Sequence, residues 1–418
     1  MSDTLQNTGC GGHGAASVTL DEALERIGES LRPVLHVERV PVRNALGRVL
    51  AEPVLASDNV PRHDNSAMDG YALRHEDRGL DSLRVVGSAF AGHPYHGDVR
   101  RGQCVRIMTG GVLPRGADTV VMQENCEADG HTLRVMSWPE AGENVRCAGE
   151  DLPRGATVLE PGKRLTAADL GVMASVGLAE VGVRRRVRAA FFSTGDELRS
   201  VGEPLDDGAI YDSNRYTLHG MLTRLGIEAL DMGVVRDDPD TLRRALQDAA
   251  GYADVILTSG GVSVGSADYV TGLLDEIGQI GFWTVSIKPG RPLAFGRIAG
   301  SVFFGLPGNP VSSMVTFAQI VAPALRRLAG ERAHPPLRFA ARCTGHLRKR
   351  PGRLEFQRGT LGIAADGTPE VTPFGRQGSG ILRSMSTADC FIVLPLEGGD
   401  VDTGEWVTVE PFSGPLSP

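Results

Sequence analysis

Lysine is almost absent from this 418-residue sequence. It occurs at Lys163, Lys288 and Lys349 only, whereas the remaining 40 of the 43 basic residues are arginine. A chain that uses arginine for generic positive charge keeps lysine where a compact ammonium is needed. Lys288, in the stretch KPGRP beside glycine-rich loops, is therefore a candidate functional residue. An accidental surface lysine is the alternative interpretation.

Positive charge as a whole is also scarce. The formal net charge is −8, and dense basic runs occur only at 184–186 and 348–350. Nucleic-acid binding favours a basic face, because the partner is a chain of phosphates. We therefore expect no nucleic-acid partner and interpret both runs as solvated surface.

Cysteine pairs and long apolar runs are missing as well. The six cysteines include no C-x-x-C pair, which argues against a zinc site and a disulfide framework. The stretch MSDTLQNTGCGGHG has no apolar signal-peptide core, and no later run reaches the length of a membrane span. We expect a cytoplasmic protein with reduced thiols, no membrane contact and a mobile leader over 1–16.

The hydrophobic rhythm predicts a multidomain α/β chain. Thr19 and Glu22 give a capping-box signal for a first helix, and short apolar runs broken by Gly and Pro indicate a β-rich insert. From residue 187, strands such as VRAAFF, DVILTS, GFWTVSI and SVFFGL alternate with helical patterns, which predicts a doubly wound parallel α/β domain. A helix from Asn309-Pro310 to Gly330 is expected to kink at Pro323. The predicted domains are 17–52 plus 152–186 (interrupted, helical and extended), 53–151 (β-rich insert), 187–332 (α/β) and 333–418 (small C-terminal β domain).

Polar residues follow consecutive strands of the predicted α/β sheet. In open sheets of this kind, ligands bind beyond the carboxyl ends of the strands. Carboxylates beside a phosphate site repel it unless a cation such as Mg²⁺ bridges them. The candidates at this edge are Glu197, Asp237 and Asp268 as metal ligands, with Lys288, Pro307 and Pro310 beside them. Each acid taken singly also fits a helix N-cap or a solvated turn.

A glycine-rich loop follows the strand DVILTS. Its backbone N–H groups and hydroxyls would wrap an anion at a helix start, through Ser259, Gly260, Gly261 and Ser263. The loop is no Walker A motif, because Ser266 and Ala267 stand where Lys-Ser/Thr is required. A plain tight turn is the alternative.

Three further stretches in the insert, DNSAMDG, RIMTGG and NVRCAGED, are rich in oxygen and cationic side chains. They predict a second wall of ligands made by Asp64, Thr109, Arg146 and Asp151. For Asn65 and Asp69, Asx-turn hydrogen bonds within the loop are the alternative.

In this order, DNSAMDGYA, RIMTGGVLP, STGDEL, IYDSN, TSGGVSVG, IKPGRP, GLPGNPVS and GRLEFQRG span nearly the whole chain. They resemble the MoeA family of molybdopterin molybdenumtransferases, which is related to the E domain of gephyrin. The resemblance implies a MogA-like central domain, a barrel-like C-terminal domain and a cytoplasmic homodimer with a site shared between subunits. It also implies Mg²⁺-dependent insertion of molybdenum from molybdate into adenylylated molybdopterin, with release of AMP and a MogA-like adenylyltransferase as partner.

By motif match, the resemblance assigns catalytic roles to Asp64, Glu197, Asp237, Asp268 and Lys288. Lys288, Arg358 and Ser379 would offer positive charge and a hydroxyl to the oxyanion. The sequence departs from the family pattern at Thr284 and Arg291, where lysines often stand, so we expect a less positive anion site. A MogA-like adenylyltransferase and a non-catalytic scaffold are the alternative functions.

Overall fold

The computed structural model describes residues 17–260, 273, 276–413 and 416. The chain forms two compact units. One contains Glu38–Val183, and the other contains the chain up to Val37 and from Arg184 onward. No helix of the described residues is long and apolar enough to cross a membrane.

Capping side chains start several helices. Thr19 and Glu22 bond reciprocally, which confirms the predicted capping box, and Asp212 and Asp238 cap later helices. In the described residues the helices are α1 (Leu20–Ser30), α2 (Ala167–Ser175), α3 (Ser213–Arg224), α4 (Pro239–Tyr252), α5 (Pro310–Thr316), α6 (Ala322–Leu328) and α7 (Arg383–Thr387).

In the described residues, the strands are on average shorter in the first half of the chain. There they are β1 (Val37–Pro41), β2 (Val54–Leu55), β3 (Asn65–Ser66), β4 (Gly70–Leu73), β5 (Leu83–Ala89), β6 (Gln103–Ile107), β7 (Thr119–Met122), β8 (Cys126–Ala128), β9 (Thr132–Val135), β10 (Val145–Arg146), β11 (Thr157–Leu159) and β12 (Glu180–Arg184). In the second half they are β13 (Arg188–Thr194), β14 (Leu198–Arg199), β15 (Ile210–Tyr211), β16 (Glu228–Val235), β17 (Val255–Ser259), β18 (Gly278–Thr284), β19 (Ile287–Lys288), β20 (Pro292–Ile298), β21 (Ser301–Leu306), β22 (Phe339–Cys343), β23 (Leu354–Ile363), β24 (Pro369–Pro373), β25 (Cys390–Leu394) and β26 (Trp406–Pro411).

The unit Glu38–Val183 contains the predicted β-rich region. Its main sheet has the strand order β7-β4-β6-β5-β9-β8. Alternate residues of one strand serve two cores, since Tyr71 and Leu73 pack in one cluster and Ala72 packs in the other. Both faces of this sheet are therefore covered, as expected for a domain with its own core.

The central sheet has the order β16-β13-β17-β21-β20-β18. The first four strands are parallel, and Phe191 and Phe192 point to opposite faces with 0% exposure, as a sheet covered on both sides requires. One detail of the prediction was wrong. The segment GFWTVSI is not a single parallel strand, because β18 runs antiparallel to β20 and ends at Thr284, whereas Lys288 lies on the separate strand β19.

The last helix of the central domain is interrupted before Pro323. Asn309 occupies the N-cap and Pro310 the first turn, as predicted. A π-helical segment, Phe317–Val321, separates α5 from α6. Proline lacks an N–H and its ring clashes with the carbonyl four residues earlier, so a locally wider turn accommodates it.

The C-terminal strands close into a barrel. The order β23-β24-β22-β26-β25 returns to β23, and β19 adds to β23 as a sixth, parallel strand. Cys343, Val371, Ile392 and Val409 fill the interior with 0% exposure. Closure leaves none of these five strands at an open edge, which confirms the predicted barrel-like domain.

Candidate functional site

Polar side chains are buried where β13 and β17 end. Ser193 lies opposite Ser259 in the parallel register, and both are at most 2% exposed. Thr194 and Thr258 beside them are also buried. Buried hydroxyls need partners from the protein or from a ligand. The carboxyl edge of the sheet thus contains the hydroxyl groups expected of a binding crevice.

Asn214, in the first turn of α3, ties this edge together. Its Nδ2 donates to Ser259 Oγ and to the carbonyl oxygen of Gly308, each at 2.7 Å. Its own Oδ1 is buried without a partner, as are Asp212 Oδ2 and Ser193 Oγ. Oxygen atoms in this position are available to a donor or a cation supplied by a ligand. Asn214 did not stand out from the sequence as a site residue, although it is the last residue of the motif IYDSN.

Gly260 brings the strand ends close to one another. It has φ +92°, and a Cβ there would lie 2.5 Å from the carbonyl oxygen of Thr194. Its N–H donates to the carbonyl oxygen of Leu306, next to Pro307. Only glycine fits this approach. The neighbouring candidates Gly261, Ser263 and Asp268 lie outside the described residues, so their predicted roles stay predictions.

The acids Glu197 and Asp237 follow the neighbouring strands β13 and β16. Burial raises the pKa of Asp237, the charges of Asp196 and Glu197 raise this pKa further, and Thr194 lowers it. The acids therefore share one electrostatic environment. Within the part of the chain that the structure describes, no three Asp, Glu, His or Cys side chains are placed to hold a metal ion. The predicted metal set includes Asp268, so it is not tested.

Lys288 borders a cavity of about 700 Å³ that is lined by β19, by Pro289 and by residues of the barrel domain. Its Nζ bonds both carboxylate oxygens of Glu355 at 3.1 Å. The Glu355 side chain is 2% exposed, whereas that of Lys288 is 43% exposed. The pair arises because β19 lies beside β23, with Lys288 opposite Glu355. The remaining lining residues include Thr344, His346, Arg348, Gln357, Arg358, Thr372, Phe374 and Gln377.

Arg358 supplies a buried cation to the same cavity. It is 1% exposed, and its guanidinium donates to Ser384 Oγ at 3.0 Å and to the carbonyl oxygen of Gly378 at 3.2 Å. Both acceptors are neutral, and burial lowers the pKa of Arg358 to about 10. A buried charge without an opposite charge is costly unless a ligand compensates it. This residue therefore favours an anion in the cavity.

Two other predicted residues meet at the start of α5. The N–H of Val311, next to Pro310, donates to the carbonyl oxygen of Ser379 at 3.0 Å. Ser379 follows Gly378, which is bonded to Arg358. The structure thus brings Pro310, Ser379 and Arg358 into one neighbourhood.

The predicted residues of the insert meet in the unit Glu38–Val183. Strand β3 pairs with β10, so Asn65 lies opposite Arg146. Asp64 Oδ1 accepts from Ala148 N at 2.7 Å, which joins DNSAMDG to NVRCAGED. Asp151, at the end of NVRCAGED, is anchored through its N–H to the carbonyl oxygen of Val60.

Thr109 and Asp69 join the third stretch to the first. Asp69 Oδ1 accepts from the N–H and the hydroxyl of Thr109, both at 2.8 Å, and these bonds lower the pKa of Asp69. This contact spans 40 residues of sequence, so Asp69 is not held by a local Asx turn. The three stretches form one surface, with Arg146 and Asp151 exposed on it.

Three family models match in order: the MoeA N-terminal region (domain I and II) at 18–177, a probable molybdopterin binding domain at 190–327, and the MoeA C-terminal region (domain IV) at 340–412. A molybdopterin molybdenumtransferase of Haemophilus influenzae is 43% identical over 95% of this chain and 99% of its own. The chain belongs to the MoeA family. The predicted family and enzyme class are confirmed.

Other MoeA relatives agree with this assignment. Gephyrin of Dictyostelium discoideum is 30% identical over 95% of this chain and 63% of its own length. The crystal structure of a molybdopterin biosynthesis MoeA protein from Pyrococcus horikoshii OT3 has a TM-score of 0.83 and 28% identity, covering 95% of this chain and all of that one. The predicted fold class is therefore confirmed for a chain of the MoeA family.

Proposed function

We propose that this MoeA-family enzyme inserts molybdenum from molybdate into adenylylated molybdopterin and releases AMP, with Mg²⁺ as cofactor. The observation that supports this most is Arg358, a buried guanidinium whose acceptors within the described residues are a hydroxyl and a carbonyl oxygen, at a cavity that also contains Lys288. A doubly negative oxyanion would compensate such a charge.

In this proposal Lys288 and Arg358 bind the oxyanion, and Ser379 adds a hydroxyl. The side chains of Thr344 and Gln377 add polar groups around it. The assignment rests on charge and hydrogen-bonding capacity, which molybdate and tungstate share. Affinity for either oxyanion thus tests the site.

The crevice beside Asn214 would hold the phosphates of the substrate. Ser259 and Gly260, with Gly261 and Ser263, are the proposed phosphate-binding residues, and Pro307 and Pro310 shape the neighbouring loops. The unpartnered oxygen atoms of Asp212 and Asn214 and the raised pKa of Asp237 fit a cation in this region. Mg²⁺ usually takes one or two carboxylates together with substrate phosphates. Glu197, Asp237 and Asp268 would hold it, and the ion would offset the phosphate charge.

We further propose that the enzyme is a homodimer in the cytoplasm. The surface formed by Asp64, Thr109, Arg146 and Asp151 would complete the site of the partner subunit. A MogA-like adenylyltransferase would supply the substrate. The interlocked stretches of the insert support a preformed surface, because Asp64 and Asp69 are already held by main-chain donors.

The test is AMP release from adenylylated molybdopterin, with and without molybdate and Mg²⁺. We expect release that needs both additions, and a fall of at least 100-fold in kcat for Glu197→Gln. Asp240→Asn is the matched control, because Asp240 lies exposed on α4 and its side chain is 83% accessible.

Each alternative function has a distinct outcome in this assay. Consumption of ATP to form adenylylated molybdopterin would identify a MogA-like adenylyltransferase. Tight binding of the pterin without turnover in either direction would identify a scaffold. AMP release at the same rate with and without molybdate would contradict the proposed reaction.

A further inference from the structure

The carboxylate of Glu355 is the one acidic group among the residues that line the cavity of Lys288 and Arg358. It is also among the most deeply buried acids of the described chain, with 1% exposure. An acid inside an anion-binding cavity weakens the binding of every anion by repulsion. The cationic lining residues attract an oxyanion, but this role does not explain why an acid lies among them.

The hydrogen bonds of Glu355 limit what Lys288 presents to a ligand. An ammonium has three N–H donors. Lys288 Nζ donates to both Glu355 oxygens, at 3.1 Å each, so only part of its donor capacity remains for an anion. Gln357 Nε2 donates to Glu355 Oε2 at 3.2 Å and to the carbonyl oxygen of Arg348 at 3.0 Å. The carboxylate is thus fixed from two sides.

A buried lysine holds the other side of this charge arrangement. Lys349 is 4% exposed, and its Nζ donates to the carbonyl oxygens of Arg350, Leu396 and Gly398 at 3.0–3.3 Å. Burial lowers the pKa of Lys349, and the negative charge of Glu355 opposes this shift. The carboxylate of Glu355 thus bonds one lysine directly and acts on a second one only through its charge.

The net charge of the cavity lining determines which anion neutralises it. Among the described residues that line the cavity, Lys288, Arg348 and Arg358 are permanent cations and Glu355 is a carboxylate, so the lining has a formal charge of +2; the buried Lys349 lies outside this lining. A dianion neutralises this charge. A more highly charged anion, such as a diphosphate, would leave excess negative charge in a partly buried site, which is unfavourable.

We propose that Glu355 is the specificity-determining residue of this cavity: by holding Lys288, it favours dianionic oxyanions over anions of higher charge, such as free pyrophosphate. The proposal rests on the proposed function in that an oxyanion is the ligand of the cavity. Glu355→Gln keeps the size of the side chain and removes its charge, and Lys288 is then free to meet a third negative charge.

The experiment is calorimetric titration of the full-length enzyme with molybdate, sulfate and pyrophosphate. We expect the wild type to bind molybdate at least tenfold more tightly than pyrophosphate. In Glu355→Gln, affinity for pyrophosphate should rise at least tenfold more than affinity for molybdate, so that the preference disappears. Glu355→Asp keeps the charge and should keep the preference. Arg358→Met should abolish the titration, which shows that the signal reports this cavity.

Other outcomes overturn the proposal. If the ratio of molybdate to pyrophosphate affinity is the same in Glu355→Gln as in the wild type, Glu355 is only a structural partner of Lys288 and Gln357. A wild type that binds both anions equally also overturns it, as does one whose titration Arg358→Met leaves unchanged. The AMP-release assay separates these results from failure of the proposed function, since release that needs molybdate would survive each of them.

Should Glu355→Gln not fold, Glu355→Asp with Gln357→Leu supplies the test. This double variant keeps a carboxylate at position 355 and removes the hydrogen bond that Gln357 Nε2 donates to it. We therefore expect the affinity for pyrophosphate to change less than twofold. A larger gain would show that geometry, and not charge, sets the preference.

Discussion

Replacement of Asn214 should loosen the carboxyl edge of the central sheet. Asn214→Ala removes two hydrogen bonds of 2.7 Å, one to the hydroxyl of the buried Ser259 and one to the carbonyl oxygen of Gly308, a residue that is exposed. Each lost bond costs about 1 kcal/mol, and a buried acceptor without a donor costs about 1–3 kcal/mol. We therefore expect a loss of about 2–4 kcal/mol in local stability.

The assay is native-state hydrogen exchange, read on the peptides that contain β17 and β21. Because 1.4 kcal/mol corresponds to a factor of ten, exchange there should accelerate by about 30- to 1,000-fold. Asn214→Asp should be at least as damaging, since it replaces the donor by an acceptor that faces the carbonyl oxygen of Gly308. Strands β5 and β6, in the other unit, serve as the internal reference.

A double-mutant cycle supplies the refutation. Ser259→Ala alone removes one acceptor of Asn214, and the two changes together should cost less than their sum by about 1 kcal/mol. Strict additivity, or unchanged exchange in β17 and β21, would show that Asn214 does not hold this edge.

Further predictions concern single charges. Arg358→Met should raise the KM for molybdate at least 100-fold in steady-state AMP release, because it removes a buried cation whose acceptors in the described residues are neutral. The control is Arg338→Met, which removes a cation paired with Glu410 and should change this KM less than twofold. Asp254→Asn should lower the melting temperature at pH 7, and this loss should shrink as the pH falls below about 4. Burial raises the pKa of Asp254, but Arg185 and the N–H of Arg188 outweigh this effect and hold the pKa below its usual value, so the stabilisation is full above the unfolded pKa and is lost as the pH falls through the folded one. Asp237→Asn should raise the melting temperature at pH 8, with the gain absent below about pH 4, because burial and neighbouring acids raise the pKa of Asp237 and penalise its ionised form; kcat should fall. An Asp254→Asn effect that is independent of pH, or a loss of stability in Asp237→Asn, would contradict these assignments.

Local signals predicted local structure well. The capping box of Thr19 and Glu22 and the N-cap at Asn309 depend on residues within one helical turn, and both are present. The strand β20 was missed, because Pro292 at its start reads as a break, although proline is tolerated at the first residue of a strand. The antiparallel pairing of β20 with β18 depends on the position of β20 within the whole sheet, between β18 and β21, and not on a local sequence pattern.

The candidate residues show the same limit. Glu197, Lys288 and Arg358 stood out by chemistry and motif, but Asn214 and Glu355 did not, although both lie in quoted motifs. Their roles depend on contacts with residues 45 and 67 positions away, which no local pattern contains. The domain boundaries and the roles of Gly261, Ser263 and Asp268 stay predictions.

The two-residue strand β19 has a mechanical consequence. It belongs by sequence to the central domain, yet it pairs with β23 of the barrel, and Leu354 N–H donates to the carbonyl oxygen of Ser286 at 2.9 Å. Swinging the barrel away from the central sheet would break these main-chain bonds. The β19 wall of the cavity is thus fixed to its β23 wall by main-chain hydrogen bonds, so these two walls are already in place before a ligand binds and little binding energy is needed to order them.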